Sequence, residues 1–188
     1  MRVGKFKLNV RQLTYAAVCL ALALLLPFVT GNIPEIGNLL CPMHLPVLLC
    51  GFLCGAPWGA AVGAIAPILR AMLFGRPALY PTALAMMFEL AFYGLLAGLL
   101  YRLLPKKLGY LYASLLGAMI GGRLVGGLAK LVLLGFDGKS FGAAVFFTEY
   151  FVNAWPGIVV QLILIPLIVA ALARAHLIER KGKSKHDQ

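Results

Sequence analysis

Residues 44–75 have the sequence HLPVLLCGFLCGAPWGAAVGAIAPILRAMLFG, in which only Arg70 carries a full charge. Residues 36–69 contain no Asp, Glu, Lys or Arg, and as one helix they would be ~50 Å long. The hydrocarbon layer of a bilayer is ~30 Å thick, so this run must be broken. Because glycine often ends a helix and proline often opens one, we place the break at the Gly-Ala-Pro-Trp of residues 55–58. The pattern predicts a short helix 2, about 45–54, and a helix 3, about 57–74.

The composition of the chain is that of an integral membrane protein. Of its 188 residues, 62% are hydrophobic and only 12% are charged, which is not typical of soluble domains. The net charge of +11 would suggest a nucleic-acid partner in a soluble protein. Here most of the cations lie near the chain ends and in one short connection, so we interpret them as signals for membrane topology and predict no nucleic-acid partner.

Four further apolar stretches complete the predicted architecture. We reject a cleavable signal peptide, because no small-x-small site follows the first apolar run at residues 16–26. No repeat or long linker divides the chain. The sequence therefore predicts an all-α integral membrane protein with a single six-helix transmembrane domain over residues 1–188. Its other helices are predicted at about 12–30 (helix 1), 82–103 (helix 4), 108–134 (helix 5) and 151–174 (helix 6).

The distribution of Lys and Arg sets the predicted orientation. Six crossings put twelve of these cations on the cytoplasmic side and two outside, in agreement with the positive-inside rule. A re-entrant helix 2 is the alternative because that helix is short, but it would leave six cations inside and eight outside. Both termini are thus predicted to be cytoplasmic, as a short segment 1–11 and a basic tail 175–188.

Five ionisable residues fall inside or at the edge of the apolar stretches. Exposing a charge at the centre of a bilayer costs ~3 kcal/mol, so these side chains are expected to pair or to line a watered cavity. By helical rise, three of them lie ~8–10 Å below the outer surface, which places the cluster in the outer half of the membrane. Three cations against two carboxylates leave one positive charge over, which predicts a site for the anionic group of a small solute. The five residues are Arg70, Glu89, Arg123, Lys130 and Glu149.

Other polar and aromatic residues extend the candidate substrate site. Tyr93 follows Glu89 by about one turn and Asn153 opens helix 6, so both are included. His44 is more often an interfacial or capping residue at such a position than a ligand. Static ion pairs between Arg70 and Glu89 and between Lys130 and Glu149 are the competing interpretation, which leaves Arg123 unexplained.

Several kinds of chemistry are not predicted. The four cysteines, among them Cys41, show no metal-ligand spacing, and we predict no metal site. Gly138, Lys139 and Ser140 look like the end of a phosphate-binding loop, but Leu133 stands where that motif requires glycine. No catalytic motif of the HExxH or GxSxG kind occurs, so we do not expect an enzyme.

Small residues at four-residue spacing recur, for example at Ala17 and Ala21 on helix 1. The chain also has six predicted helices, a polar loop before a short helix 2 and the glycine-proline turn into helix 3. In these features the chain, from about residue 11 to residue 174, resembles the substrate-binding S component of energy-coupling factor (ECF) transporters. These are bacterial vitamin importers, and the most specific part of the resemblance is residues 42–101.

The resemblance implies a function and a set of partners. An S component captures a vitamin at the outer face of the cytoplasmic membrane, with the outer halves of helices 4 to 6 and the loops after helices 1, 3 and 5. Ala17 and Ala21 would dock on a transmembrane T component that carries two ATPases, so this chain would need no cofactor and its partners would use the ATP. Nickel and cobalt importers begin with Met-His, whereas this chain begins with Met1 and Arg2. The surplus positive charge favours an acidic compound, with pantothenate as the first candidate and a riboflavin-like one as a further possibility.

Two other classes of function stay open from the sequence. An intramembrane enzyme would use Glu89 or Glu149 as an acid or base, although no nucleophile or metal set accompanies them. A channel or carrier acting alone is the other alternative, and the lack of internal repeats argues weakly against a carrier. Co-purification with ATPase subunits would separate an S component from both.

Overall fold

The computed structural model describes residues 10–29, 41–105, 108–136 and 142–174. The predictions made for both termini, for the outer part of the loop after helix 1 and for residues 138–140 lie outside these ranges. Every element in the described part of the chain is helical, which confirms the all-α prediction. The helices are α1 (Val10–Val29), α2 (His44–Cys54), α3 (Ala56–Phe74), α4 (Leu84–Leu103), α5 (Leu108–Phe136), α6 (Ala143–Phe147) and α7 (Trp155–Arg174).

Five of these helices are long and apolar enough to cross a membrane: α1, α3, α4 with the wide turn Leu79–Ala83 before it, α5 and α7. By contrast, α2 has 11 residues, and nine of them are buried inside the bundle. At helical rise it is ~16 Å long, about half of the hydrocarbon thickness. The described residues thus provide five helices of spanning length and one short, buried apolar helix.

The predicted break between helices 2 and 3 is confirmed. Gly55 separates α2 from α3 with a backbone φ of 92°, a value that side-chain-bearing residues rarely adopt. Pro57 follows in the first turn of α3, where its missing N–H is not needed. Glycine and proline therefore fix the turn that divides this apolar run.

The predicted start of helix 6 at about residue 151 is wrong by four residues. The long helix α7 begins at Trp155, and the segment before it forms the short helix α6 and a second wide turn, Thr148–Val152. Pro156 lies at the second position of α7, where proline is favoured, and the turn at Asn153 separates the two helical pieces. Glu149 and Asn153 therefore precede α7 instead of lying in its first turn.

Helix α4 is the centre of the bundle and packs against α2, α3 and α5. Glycines make the close approach possible, because a Cβ atom added to Gly51 or to Gly59 would lie 2.6 Å from the carbonyl oxygen of Gly94. In lipid such small-residue contacts hold helices together by packing. Gly51, Gly59 and Gly94 therefore serve packing inside the molecule.

Two helices that are not neighbours in the chain end on the same side of the bundle. Phe28, near the end of α1, packs edge to face against Phe74, the last residue of α3, with ring centroids 4.9 Å apart. A cavity opens on the side where α1 and α3 end and where α4 and α7 begin, and we name this side the cavity end. Because α1 and α3 run in the same direction, α2 must lead the chain back between them.

Candidate functional site

A cavity of about 660 Å³ opens at the cavity end of the bundle. Its wall is formed by residues from the five helices α1 to α5, from both wide turns and from the connections at 41–43, 75–78 and 153–154. Six of the seven residues predicted for the substrate site lie in its wall. These are Arg70, Glu89, Arg123, Lys130, Glu149 and Asn153.

Tyr93, the seventh predicted residue, is fully buried and does not line the cavity. Its ring stands edge to face against the His44 ring, with centroids 5.0 Å apart. His44 does line the cavity, so Tyr93 lies behind the wall. Its position indicates a supporting role beneath His44 in place of direct contact with a solute.

Glu89 makes a buried hydrogen-bonding contact with His44. The two side chains are 6% exposed each, and Nε2 of His44 lies 3.3 Å from Oε1 of Glu89. The sequence offered Arg70 as the static partner of Glu89, so the structure changes that assignment. His44 itself was interpreted as an interfacial residue, whereas it is 4% exposed and belongs to the cavity wall.

Arg70 ties α3 to α1. Its Nη1 donates a hydrogen bond to the carbonyl oxygen of Leu24 over 2.6 Å. Its guanidinium also lies between two aromatic rings, with Cζ 4.9 Å from the centroid of Phe28 and 5.5 Å from that of Phe74. Cation–π contacts of this kind stabilise a cation that has little access to water. Arg70 therefore helps to hold the end of α1 against the cavity wall.

Lys130 and Glu149 form an ion pair, as the static-pair interpretation of the sequence proposed. Nζ of Lys130 donates to Oε2 of Glu149, and the side chains are 17% and 39% exposed. This pair joins α5 to the turn before α7. The two charges compensate each other at a partly solvated position of the cavity wall.

Arg123 lies deeper in the bundle than Lys130, the other cation that α5 contributes to the cavity wall. It is 2% exposed, and its Nε and Nη2 atoms are buried without a hydrogen-bond partner. Its Cζ lies 5.8 Å from the centroid of the Phe151 ring. Glu89, Tyr93 and Cys41 are close enough to interact with it electrostatically, but the Tyr93 hydroxyl makes no hydrogen bond of acceptable geometry.

Two glycines of α5 make room for the side chains around Arg123. A Cβ atom on Gly126 would lie 2.6 Å from the Cβ of Glu89, and one on Gly122 would overlap the ring of Tyr93. Their four-residue spacing alone indicates only a small-residue face for helix packing. The structure shows that the face receives two residues of the predicted site.

Cys41 was missed as a wall residue by the sequence analysis. It precedes α2, lines the cavity and has a positive backbone φ of 46°. Burial raises the pKa of its thiol to about 11, although the nearby guanidinium of Arg123 acts in the opposite direction. The thiol is therefore protonated at neutral pH. No local pattern marks Cys41 or His44, because both meet Glu89 and Arg123 only in the folded chain.

Within the described ranges, no group of three or more His, Cys, Asp or Glu side chains is placed to hold a metal ion. The wall instead combines guanidinium, ammonium, imidazole and carboxylate groups with apolar surface from Met43, Met86 and prolines. Such a mixture suits a small polar organic molecule better than a bare ion.

Comparison with known protein families agrees with this geometry. The model of the family described as "ECF transporter, substrate-specific component" matches residues 11–169 of the chain. No curated protein and no solved structure shows significant similarity to it. The match covers most of the chain, including every described residue of the cavity wall. The chain therefore belongs to the substrate-specific components of ECF transporters, which are substrate-binding subunits of membrane transporters and not enzymes.

Proposed function

We propose that this protein is the substrate-capture subunit of an ATP-driven ECF importer in a bacterial cytoplasmic membrane, and that it binds a small anionic vitamin or vitamin precursor from outside. The observation that carries the proposal is the cavity at one end of an apolar helical bundle, with buried Arg70, Glu89 and Arg123 in its wall. Charged side chains at such depth are expensive in lipid unless they pair or serve a solute. Pantothenate is the first compound to test, and a riboflavin-like one is the second.

The proposed topology has six crossings, with both termini in the cytoplasm and the cavity end outside. The parallel course of α1 and α3 supports it, because α2 then has to carry the chain back across. The positive-inside rule supports the same orientation. In this arrangement a solute reaches the cavity from outside without passing through the bundle.

The proposed partners are a transmembrane T component and two ATPase subunits. We propose that Ala17 and Ala21 of α1 dock on the T component. Both are exposed, whereas Ala16, Cys19 and Ala23 are buried against the bundle. An exposed face of small side chains allows another helix to approach closely in lipid. The energy for import then comes from the partners, and this chain itself needs no cofactor.

The test is co-purification of the tagged chain from its own membranes in mild detergent. We expect a T component and two ATPase subunits to be recovered with the tagged chain, and ATP-dependent uptake of the captured solute by vesicles that contain the complex. Another membrane protein that carries the same tag, purified in the same way, serves as the control for detergent carry-over. Recovery of the chain without any ATPase subunit, under conditions that preserve uptake, would contradict the proposal.

A further inference from the structure

We infer that the Nε–Nη2 edge of Arg123 binds an oxyanion of the captured solute, a carboxylate or a phosphate, so that the acidic end of the solute lies deepest in the cavity. This inference rests on the proposed function of solute capture. It adds the chemical group, the residue that receives it and the direction in which the solute lies.

Arg123 differs from the other cations of the wall in what the protein offers it. Lys130 is paired with Glu149, and Arg70 donates to the carbonyl oxygen of Leu24. For Arg123, two guanidinium nitrogens have no partner, and water does not reach either of them. Glu89 is close enough to attract the guanidinium, but its carboxylate oxygen Oε1 contacts His44. A buried charge with unused donors is costly, so a partner from outside the chain is expected.

The two unused atoms form one binding edge. Nε and Nη2 of a guanidinium lie in one plane on the same side, and together they donate two parallel hydrogen bonds to a carboxylate or a phosphate. Lysine has no such edge, because its ammonium is a single rotating donor group. Arg123 lines the cavity, while its Nε and Nη2 atoms are buried, so the inference includes a rotation of the side chain that turns this edge toward an oxyanion in the cavity.

The position of Arg123 sets the direction of the solute. Arg123 lies seven residues before Lys130 on α5. At helical rise, Arg123 is therefore ~10 Å further from the cavity end than Lys130. The remaining part of the solute then lies toward the mouth, where the connection Gly75–Ala78 and Asn153 line the wall. The ring of Phe151 lies beside the Arg123 guanidinium, and the His44–Glu89 contact in the cavity wall offers hydrogen-bonding groups for a hydroxyl or an amide.

The experiment compares the small molecules that leave four purified proteins on denaturation, measured by mass spectrometry against an empty-detergent control. The proteins are the wild type, R123K, R123Q and R102Q. Arg102 is exposed in the last turn of α4, at the opposite end of the bundle, and serves as the matched control. We expect the wild type and R102Q to release a compound with a carboxylate or phosphate. R123K and R123Q should release roughly one tenth of that amount or less.

Each other result has a definite meaning. If R123K retains the wild-type amount of the acidic compound, the edge of Arg123 is not its binding site. If the wild type releases a neutral or cationic compound, the inference is wrong while solute capture stands. If nothing is released above the control, capture itself is not supported and the inference fails with it.

A second measurement uses only the wild-type protein, in case the Arg123 variants do not fold. The released molecules are treated with trimethylsilyldiazomethane, which converts acidic groups to neutral esters, and are offered to solute-depleted protein. We expect the untreated molecules to raise the thermal unfolding midpoint and the esterified ones to lose this effect. Equal stabilisation by the esters would overturn the inference. Prior treatment with a phosphatase distinguishes a phosphate from a carboxylate.

Discussion

The contact between His44 and Glu89 joins two buried side chains that lie 45 positions apart in the chain. Glu89 was predicted as a site residue from its place in an apolar run, because an ionisable group inside a membrane is expensive. Its partner was not predictable, since the start of α2 and the middle of α4 come together only in the folded bundle. Arg123 was likewise predicted from its charge inside an apolar run, whereas the buried, unpartnered state of its Nε and Nη2 atoms depends on the folded bundle.

His44→Ala should destabilise the protein by removing the partner of Glu89 Oε1 and the ring that packs on Tyr93. We expect a loss of ~1–3 kcal/mol, seen as a lower thermal unfolding midpoint in detergent. Glu89→Gln in the same background removes the stranded charge, so the double variant should lose less than the sum of the two single variants. Strictly additive losses would mean that the two side chains are not coupled.

Gly126→Ala should disturb Glu89 more than it disturbs the helix. The added Cβ would lie 2.6 Å from the Cβ of Glu89, and overpacking of this kind costs ~1–3 kcal/mol. Gly135→Ala is the matched control on the same helix, because nothing lies within 4 Å of its added Cβ. We expect a lower unfolding midpoint and less released solute for G126A, and neither effect for G135A. Equal behaviour of the two variants would argue against a positioning role for Gly126.

At the scale of the elements, glycine, proline and charge allowed most helix bounds to be predicted. The predicted helices 2 and 3 differ from α2 and α3 by one residue at their starts and not at their ends. The failure at α7 has a local cause, since the predicted first turn begins with the apolar residues Phe151 and Val152, which belong to the wide turn Thr148–Val152. Composition alone does not separate a short helix from the first turns of a longer one.

The exposed alanines of α1 lead to a prediction about assembly. Leucine at both Ala17 and Ala21 would keep the T component from approaching closely, because contact between helices in lipid depends on small side chains. We expect roughly 10-fold less co-purified ATPase, equivalent to ~1.4 kcal/mol, with an unchanged amount of released solute.

Leucine at Ala113 of α5 and Ala170 of α7 is the matched control for this variant, since both alanines are exposed on other helices. This control should retain its ATPase subunits. If it loses them to the same extent, added bulk anywhere on the lipid-facing surface is sufficient, and α1 has no special place in docking.

At the scale of the whole molecule, the cavity and the charge distribution point in the same direction. The ends of α1 and α3 and the starts of α4 and α7 surround the cavity, while Arg102 and Arg174 lie in the last turns of α4 and α7 at the other end. Lys and Arg are retained on the cytoplasmic side of membrane proteins. The proposed orientation, with the cavity facing the outside, follows from this rule.

This orientation is testable with single cysteines and a membrane-impermeant maleimide applied to intact cells. The two variants are Asn153→Cys and Arg102→Cys. Asn153 is exposed at the mouth of the cavity, and Arg102 is exposed at the far end of the bundle. We expect labelling of the first in intact cells and of the second only after the membrane is opened. The native Cys41 contributes little background, because a thiol with a pKa of about 11 is almost entirely protonated at pH 7 and the thiolate is the reactive form. If only Arg102→Cys is labelled in intact cells, the bundle has the opposite orientation, and capture of a solute from outside is wrong.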